Sequence, residues 1–294
     1  MPEAKEKNMI DLSYSFIDEA FDISKASAYE LILQVGPAGI SVAINEKAKN
    51  KFIALEVFNF HNIYSFDEVV TRWDQLVQKS KLISNKYKSA VCLIVNNSST
   101  LVPDPLFEEG SERTYLKFNV PVQWNEYVQV DDLKSIDAKN IFAFPVELKA
   151  KLDGLSGAIR YRHYSTVLID SLIAQNKNKT GKKLYVHVQQ THFEVILIDG
   201  KKLLFYNTFN HQSPEDFIYY LLFVCEQLHL NPENIEVVVV GEIEKNSDLI
   251  TRVQKYIRTI KFGERYSSAG LGYQLQTLPN YFYYTIFNNC VSLI

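Results

Sequence analysis

Two stretches of this 294-residue chain, about 150 residues apart, run through the same order of elements, and that order restricts the fold more than any other feature. In the first, Tyr29–Val35 reads as a strand, Gly36-Pro37-Ala38-Gly39 as a turn, and Ile40–Ile44 as the returning strand. Phe52–Phe58 follows as a third strand. Ser65 and Glu68 have capping-box spacing, and Phe66, Val69, Val70, Trp73 and Val77 recur at helical period behind them. Ala90–Val95 is then a near-continuous apolar run, the pattern of a central buried strand. In the second stretch, Leu184–Val188 and Phe193–Ile198 pair as a hairpin, Asp199-Gly200 turns into Leu203–Phe209, and Ser213, Pro214 and Asp216 start a helix carrying Phe217, Leu221, Val224 and Leu228. Ile235–Val240 is the matching buried strand. A short amphipathic helix follows, carrying Leu249, Ile250, Val253, Tyr256 and Ile257.

The plan predicts an α/β protein of two lobes, each a mixed sheet with flanking helices. Residues 1–28 form an N-terminal lead-in, with an edge strand near Ser13–Ile17. Residues 29–180 form the first lobe, interrupted by an insertion around 99–137, and residues 181–294 form the second. The insertion carries an acidic helix-like stretch and an extended segment at Glu126–Val130, and a short buried strand follows at Ile141–Phe144. Helices at Val146–Leu152 and Ser165–Gln175 follow, and the polar run Asn176–Lys183 reads as the linker.

Composition excludes several function classes. A net charge of −3 supplies no basic field for nucleic acid. The longest apolar run, Phe217 to Cys225, is far short of the ~20 residues of a membrane span, and the polar start Met1–Asn8 has no apolar stretch behind it for a signal peptide. Cys92, Cys225 and Cys290 form no spaced pair and read as reduced thiols. Together these predict a cytoplasmic protein that neither enters a membrane nor binds nucleic acid.

The duplicated unit with its connecting helix resembles the actin-like ATPase fold, of ribonuclease H-like architecture, over roughly residues 29–260. Leu184–Ile257 is most similar to the second lobe of the bacterial pilus-assembly and cell-division actin homologues. Leu101-Val102-Pro103 with Leu106-Phe107, and Tyr115-Leu116-Lys117-Phe118-Asn119, resemble an uncharacterised bacterial family of unknown function described as having that fold.

The resemblance implies a nucleotide site made of two glycine-rich hairpin turns, each with an acidic residue on its first strand to hold Mg²⁺, and a late Gly-Gly for the adenosine. Here the first hairpin, Leu33-Gln34-Val35-Gly36-Pro37-Ala38-Gly39, keeps Gly36 and Gly39 but lacks the Asp, and Pro37 removes an amide donor. The second reads Val186-His187-Val188-Gln189-Gln190-Thr191-His192, with His187 or Gln189 where Asp and Gly would stand. The late pair is Gly241-Glu242. Gly36, Gly39, Gln189, His192 and Gly241 are therefore expected as vestigial turns of a nucleotide cleft, without cofactor, metal or ATP hydrolysis.

Other constellations read more plainly as structure. His187 and His192 with Glu194 have no third metal ligand at motif spacing and read as partly exposed hairpin histidines. His61, His163, His211 and His229 read as capping or surface residues. Gly181-Lys182-Lys183 lacks the rest of a phosphate loop, and Gly270-Leu271-Gly272 lacks the context of a dinucleotide site. Glu108 and Glu112 would share one solvated helical face. The aromatic segment Leu278–Phe287 is expected as a short helix packed mostly in the core, with at least one of Tyr281, Tyr283 and Tyr284 exposed to a partner unless another element covers it. Function is then expected to be binding or scaffolding, to a protein partner or to a second copy. A nucleotide-dependent ATPase or phosphotransferase with unconventional residues is the alternative.

Overall fold

The computed structural model describes residues 10–61, 65–155, 157–266 and 268–289. Met1–Asn8 and Cys290 lie outside them. The chain divides into two compact units. One runs to Leu133 and adds Asp137–Val167 and Ser268–Thr277; the other takes Lys134–Ile136, Leu168–Ser267 and the chain from Leu278.

In the first unit, β1 (Ile10–Ile17), β2 (Glu30–Gly36), β3 (Gly39–Glu46) and β4 (Lys51–Phe60) precede helices α1 (Phe66–Thr71) and α2 (Trp73–Lys79). Then come β5 (Ser89–Ile94), β6 (Ser99–Pro103), α3 (Glu112–Asn119), β7 (Glu126–Leu133), β8 (Ala138–Pro145), α4 (Val146–Asp153), β9 (Ile159–His163) and the start of α5 (Tyr164–Asn176). The main sheet has the order β1-β4-β3-β2-β5-β9. Its first four strands are antiparallel, whereas β5 runs parallel to both β2 and β9. Every residue of β2 is buried, as its place between β3 and β5 requires, and the polar Glu30 and Gln34 are buried with it. Leu31, Leu33, Val42, Ile44, Phe58, Trp73, Phe142 and Phe144 share one core. Each such side chain, fully buried, contributes ~1.5–3 kcal/mol.

The N-terminal segment is more ordered than a lead-in. β1 lies along β4 from Ile10↔Phe60 to Ile17↔Ala54 and is an edge of the main sheet. The expected first helix is also two helices, because Arg72 leaves helical geometry (φ −101°, ψ 7°) between α1 and α2. The Ser65–Glu68 capping box is present at its start.

The insertion builds a small antiparallel sheet, β6-β8-β7. Strand alternation gives β8 two faces. Ile141 and Ala143 pack with Val102 and Leu116 of α3, while Phe142 and Phe144 join the main core. Glu108 precedes α3, so it shares no helical face with Glu112. His163, expected at a surface, is fully buried in a polar network. Its ring nitrogens lie 2.6 Å from Ser165 Oγ and 3.1 Å from the Asn96 carbonyl, while its backbone N–H donates to Asp131 Oδ2 at 2.8 Å. Thr166 Oγ1 donates to the same oxygen and Asn140 Nδ2 donates to Ser165, so the network locks β7, β8, β9 and α5 together.

The second unit contains β10 (Lys182–Val188), β11 (His192–Asp199), β12 (Lys202–Asn210), α6 (Pro214–Gln227), β13 (Glu236–Gly241), α7 (Asp248–Val253) and β14 (Thr259–Phe262). Its sheet order is β12-β11-β10-β13-β14, three antiparallel strands followed by two parallel ones. The segment β4-β3-β2-β5-β9 of the first sheet has the same order and the same directions. A two-residue strand, β15 (Gly270–Leu271), then pairs with β4 of the first unit, and α8 (Tyr284–Asn288) ends the described chain.

α6 starts on the expected residues. Ser213 Oγ accepts from Asp216 N at 3.1 Å, and the Asp216 carboxylate accepts from Ser213 N, with Pro214 at the first helical position. Ser213→Ala should lower stability by about 1 kcal/mol and Ser213→Gly by only a few tenths, read from the urea midpoint.

The aromatic C-terminal segment departs from expectation. Helix begins only at Tyr284, because Tyr283 takes a left-handed conformation (φ 48°), and Tyr281, Tyr283 and Tyr284 are all buried. The segment therefore exposes none of the three tyrosines, and no binding surface follows from them. Cys92 and Cys225 are buried free thiols; burial pushes the Cys92 thiol far up and Cys225 to about 11, so both stay protonated.

Candidate functional site

The first hairpin closes on Gly36↔Gly39 with Pro37-Ala38 between them. Packing demands glycine at 39 and makes a side chain tight at 36. A Cβ at Gly39 would lie 2.5 Å from the Phe58 carbonyl oxygen on β4, and one at Gly36 would lie 3.1 Å from Val95 Cβ. The turn stands at the carboxyl ends of β2 and β5, where open α/β sheets bind ligands. A cavity of about 260 Å³ opens there, lined by Pro37, Asn96, Ser98, Asn125, Asp67 and Glu126 among others. Two carboxylates and no Lys or Arg occur among its described lining residues.

The second hairpin is built the same way on β10 and β11. Its register pairs Val188 with Phe193 and His187 with Glu194, and Gln189 N–H donates to the His192 carbonyl at 2.9 Å across the turn. Alternation then places His187, Gln189, His192 and Glu194 on one face, while Val186, Val188, Phe193 and Val195 join the core on the other. Both histidines are buried, not partly exposed as expected, and Glu194 is 0% exposed. Glu194 Oε2 lies 2.6 Å from His187 Nδ1 and its Oε1 lies 3.3 Å from His192 Nε2.

Burial would push the Glu194 carboxyl up, but the His192 charge and the His187 hydrogen bond outweigh it and hold the carboxyl well below its usual range. Glu242 shows the reverse balance: burial raises its carboxyl, against the histidine charges and a hydrogen bond with Gln190. His211 is hydrogen-bonded with the Gln189 backbone, and burial lowers its ring.

Gly241 completes this second group. It sits opposite Val188 on β13 with φ 102°, and a Cβ there would fall 2.2 Å from the Val188 carbonyl oxygen. Of the five residues singled out from sequence, Gln189, His192 and Gly241 thus meet at one end of the second sheet, and Gly36 and Gly39 pair in the first unit. Among the described residues, no group of three or more His, Cys, Asp or Glu is placed to hold a metal ion. Glu194 was the residue whose role was missed. The two-residue turn Gln190-Thr191 carried the signal, since counting outward from it pairs 187 with 194.

Two sheets of matching order, each a three-strand antiparallel meander continued by parallel strands, define the actin-like ATPase fold. A Bacteroides thetaiotaomicron VPI-5482 protein of that fold and of unknown function matches with a TM-score of 0.74 at 24% identity, over 83% of this chain and 93% of its own. The PilM–PilN type IV pilus biogenesis complex matches with a TM-score of 0.50 at 12% identity, over 82% and 90%. No curated protein matches the chain by sequence. Residues 18–260 match the family described as "Protein of unknown function (DUF3822)", and the chain belongs to that family. Among the described residues, no helix is long and apolar enough to cross a membrane.

Proposed function

We propose that this chain is a non-catalytic bacterial member of the fold, internally duplicated and cytoplasmic, that works by binding a protein partner. The observation that carries this reading is Glu194. A nucleotide site of this kind needs carboxylates open to Mg²⁺. The carboxylate on the second hairpin is instead fully buried and held by two histidines. Three further observations support it. Gly39 and Gly241 are demanded by strand packing, so their presence requires no phosphate. Pro37 offers no amide at the tip of the first turn. The cavity beside that turn is lined by carboxylates, which repel a polyphosphate. The matching PilM structure is a complex with PilN, which favours a protein as the ligand class here too.

Titration with Mg-ATP tests the reading. A ligand at 100 times its dissociation constant adds about 2.7 kcal/mol to stability. We expect no heat of binding, no change in melting temperature and no phosphate release. Micromolar ATP affinity would overturn the proposal in favour of an ATPase or phosphotransferase with unconventional residues, acting through Gly36, Gly39, Gln189, His192 and Gly241.

A further inference from the structure

Trp124 is 90% exposed, the most exposed of the large hydrophobic side chains in the described residues. Burying a tryptophan is strongly favourable, so one left in water on a fixed backbone calls for a reason. The backbone here is fixed. Gln123 N–H donates to Glu126 Oε2 at 2.7 Å and Glu126 N–H to the Gln123 carbonyl. The Arg113 guanidinium donates to the carbonyls of Gln123 and Glu126, and the Asn125 carbonyl accepts from Val146 N at 3.0 Å. Trp124 therefore stands at the tip of a pinned turn. Among the described residues it makes no ring or cation contact.

Its neighbours Gln123, Asn125 and Glu126 line the 260 Å³ cavity beside the first hairpin. Asp67, which also lines that cavity, is exposed, and its carboxylate accepts no hydrogen bond among the described residues. Glu126 spends one carboxylate oxygen on Gln123 N–H and keeps the other. The rest of the described lining is neutral, with amide and hydroxyl groups from Asn96, Asn125 and Ser98. Arg113 does not line the cavity, and it donates to the backbone carbonyls of Gln123 and Glu126.

We propose that this cavity receives an arginine side chain of a partner protein, with the guanidinium between Asp67 and Glu126 and stacked on Trp124. The chemistry is complementary at each point. A planar guanidinium forks onto carboxylates and stacks on an indole face, which a compact ammonium does less well. The volume holds one long side chain and not a folded domain, so the partner presents an extended segment or a loop tip. Pre-fixing the turn that carries Trp124 removes backbone ordering cost from the binding step. The inference rests on the protein-binding reading above and names the chemistry of that partner.

The test uses the whole chain and a blocked pentapeptide, acetyl-Gly-Gly-Arg-Gly-Gly-amide. Versions with citrulline, lysine or glutamate at the centre serve as comparisons. Trp73, the other tryptophan, is buried at 3% exposure, so quenching by acrylamide reports Trp124. The arginine peptide should protect Trp124 saturably, with the neutral citrulline isostere about tenfold weaker and glutamate without effect. Trp124→Ala and Asp67→Asn, at exposed positions, should each weaken calorimetric binding several-fold to tenfold while leaving the melting temperature unchanged. Raising salt should weaken it as well. Equal binding of arginine and citrulline, no saturation at millimolar peptide, or full binding by Trp124→Ala would overturn the proposal. Mg-ATP is titrated in parallel. Failure of the peptide with ATP also inert removes only the arginine pocket, whereas binding of ATP removes the non-catalytic reading itself.

Discussion

Glu194→Ala should cost the second unit about 3–5 kcal/mol, because removing one partner of a buried charge cluster leaves the others unpaired and out of water. His187 and His192 would lose the carboxylate that accepts from both. Glu194→Gln keeps the volume and removes the charge, so the difference between the two variants separates packing from electrostatics. The pH dependence has a definite sign. The folded carboxyl titrates below its ordinary value of 4.5. Its contribution is therefore complete above pH 4.5 and is lost as the pH falls through the lower, folded value. Urea midpoints of wild type and Glu194→Gln should converge as the solution is acidified below pH 4.5. Parallel curves over that range would show that the carboxylate carries no net stabilisation.

Gly241→Ala is expected to be comparably damaging, for a backbone reason. A left-handed φ of 102° strains any residue with a Cβ, and this Cβ would sit 2.2 Å from the Val188 carbonyl oxygen and 2.8 Å from its nitrogen. The strand ends must separate, which disturbs Glu242 N–H donating to Val188 and Gly241 N–H donating to the Tyr281 carbonyl, both at 2.8 Å. Strain and overpacking together amount to roughly 2–5 kcal/mol. Gly157→Ala is the control. Nothing lies within 4 Å of that Cβ and its φ is ordinary, so stability should hold or rise by up to about 1 kcal/mol. A Gly241→Ala protein with wild-type urea midpoint would show that the β10–β13 junction yields freely.

Most of the fold was legible in the chain itself. β5 announced itself as a near-continuous apolar run, and the helix starts at Ser65 and Ser213 were written in capping residues whose partners lie three positions away. Where the reading failed, non-local pairing decided. The edge strand expected near Ser13–Ile17 is present as β1, but its extension back to Ile10 is set by its pairing with β4. The small sheet β6-β8-β7 joins Ser99 to Phe142 and Glu126 to Pro145, pairings that no window of sequence contains. The site was less legible than the fold. The glycines marked the turns correctly, yet their cause lay in the carbonyls of Phe58 and Val188 on other strands.

The sequence by itself determined the local things: period-2 and period-3.6 patterning, caps, turns, and the absence of an acidic residue beside the first turn, where Gln34 and Val35 lead into Gly36. Tertiary structure alone decided which polar side chains leave water. Glu194 is an ordinary acidic residue in the chain and a buried anion between two histidines in the fold. Tyr281, Tyr283 and Tyr284 form an aromatic run that one left-handed residue turns inward. Trp124 stays outside because five hydrogen bonds fix the turn beneath it. Burial depends on what the rest of the chain brings to a side chain, and that is settled by contacts between residues far apart in sequence.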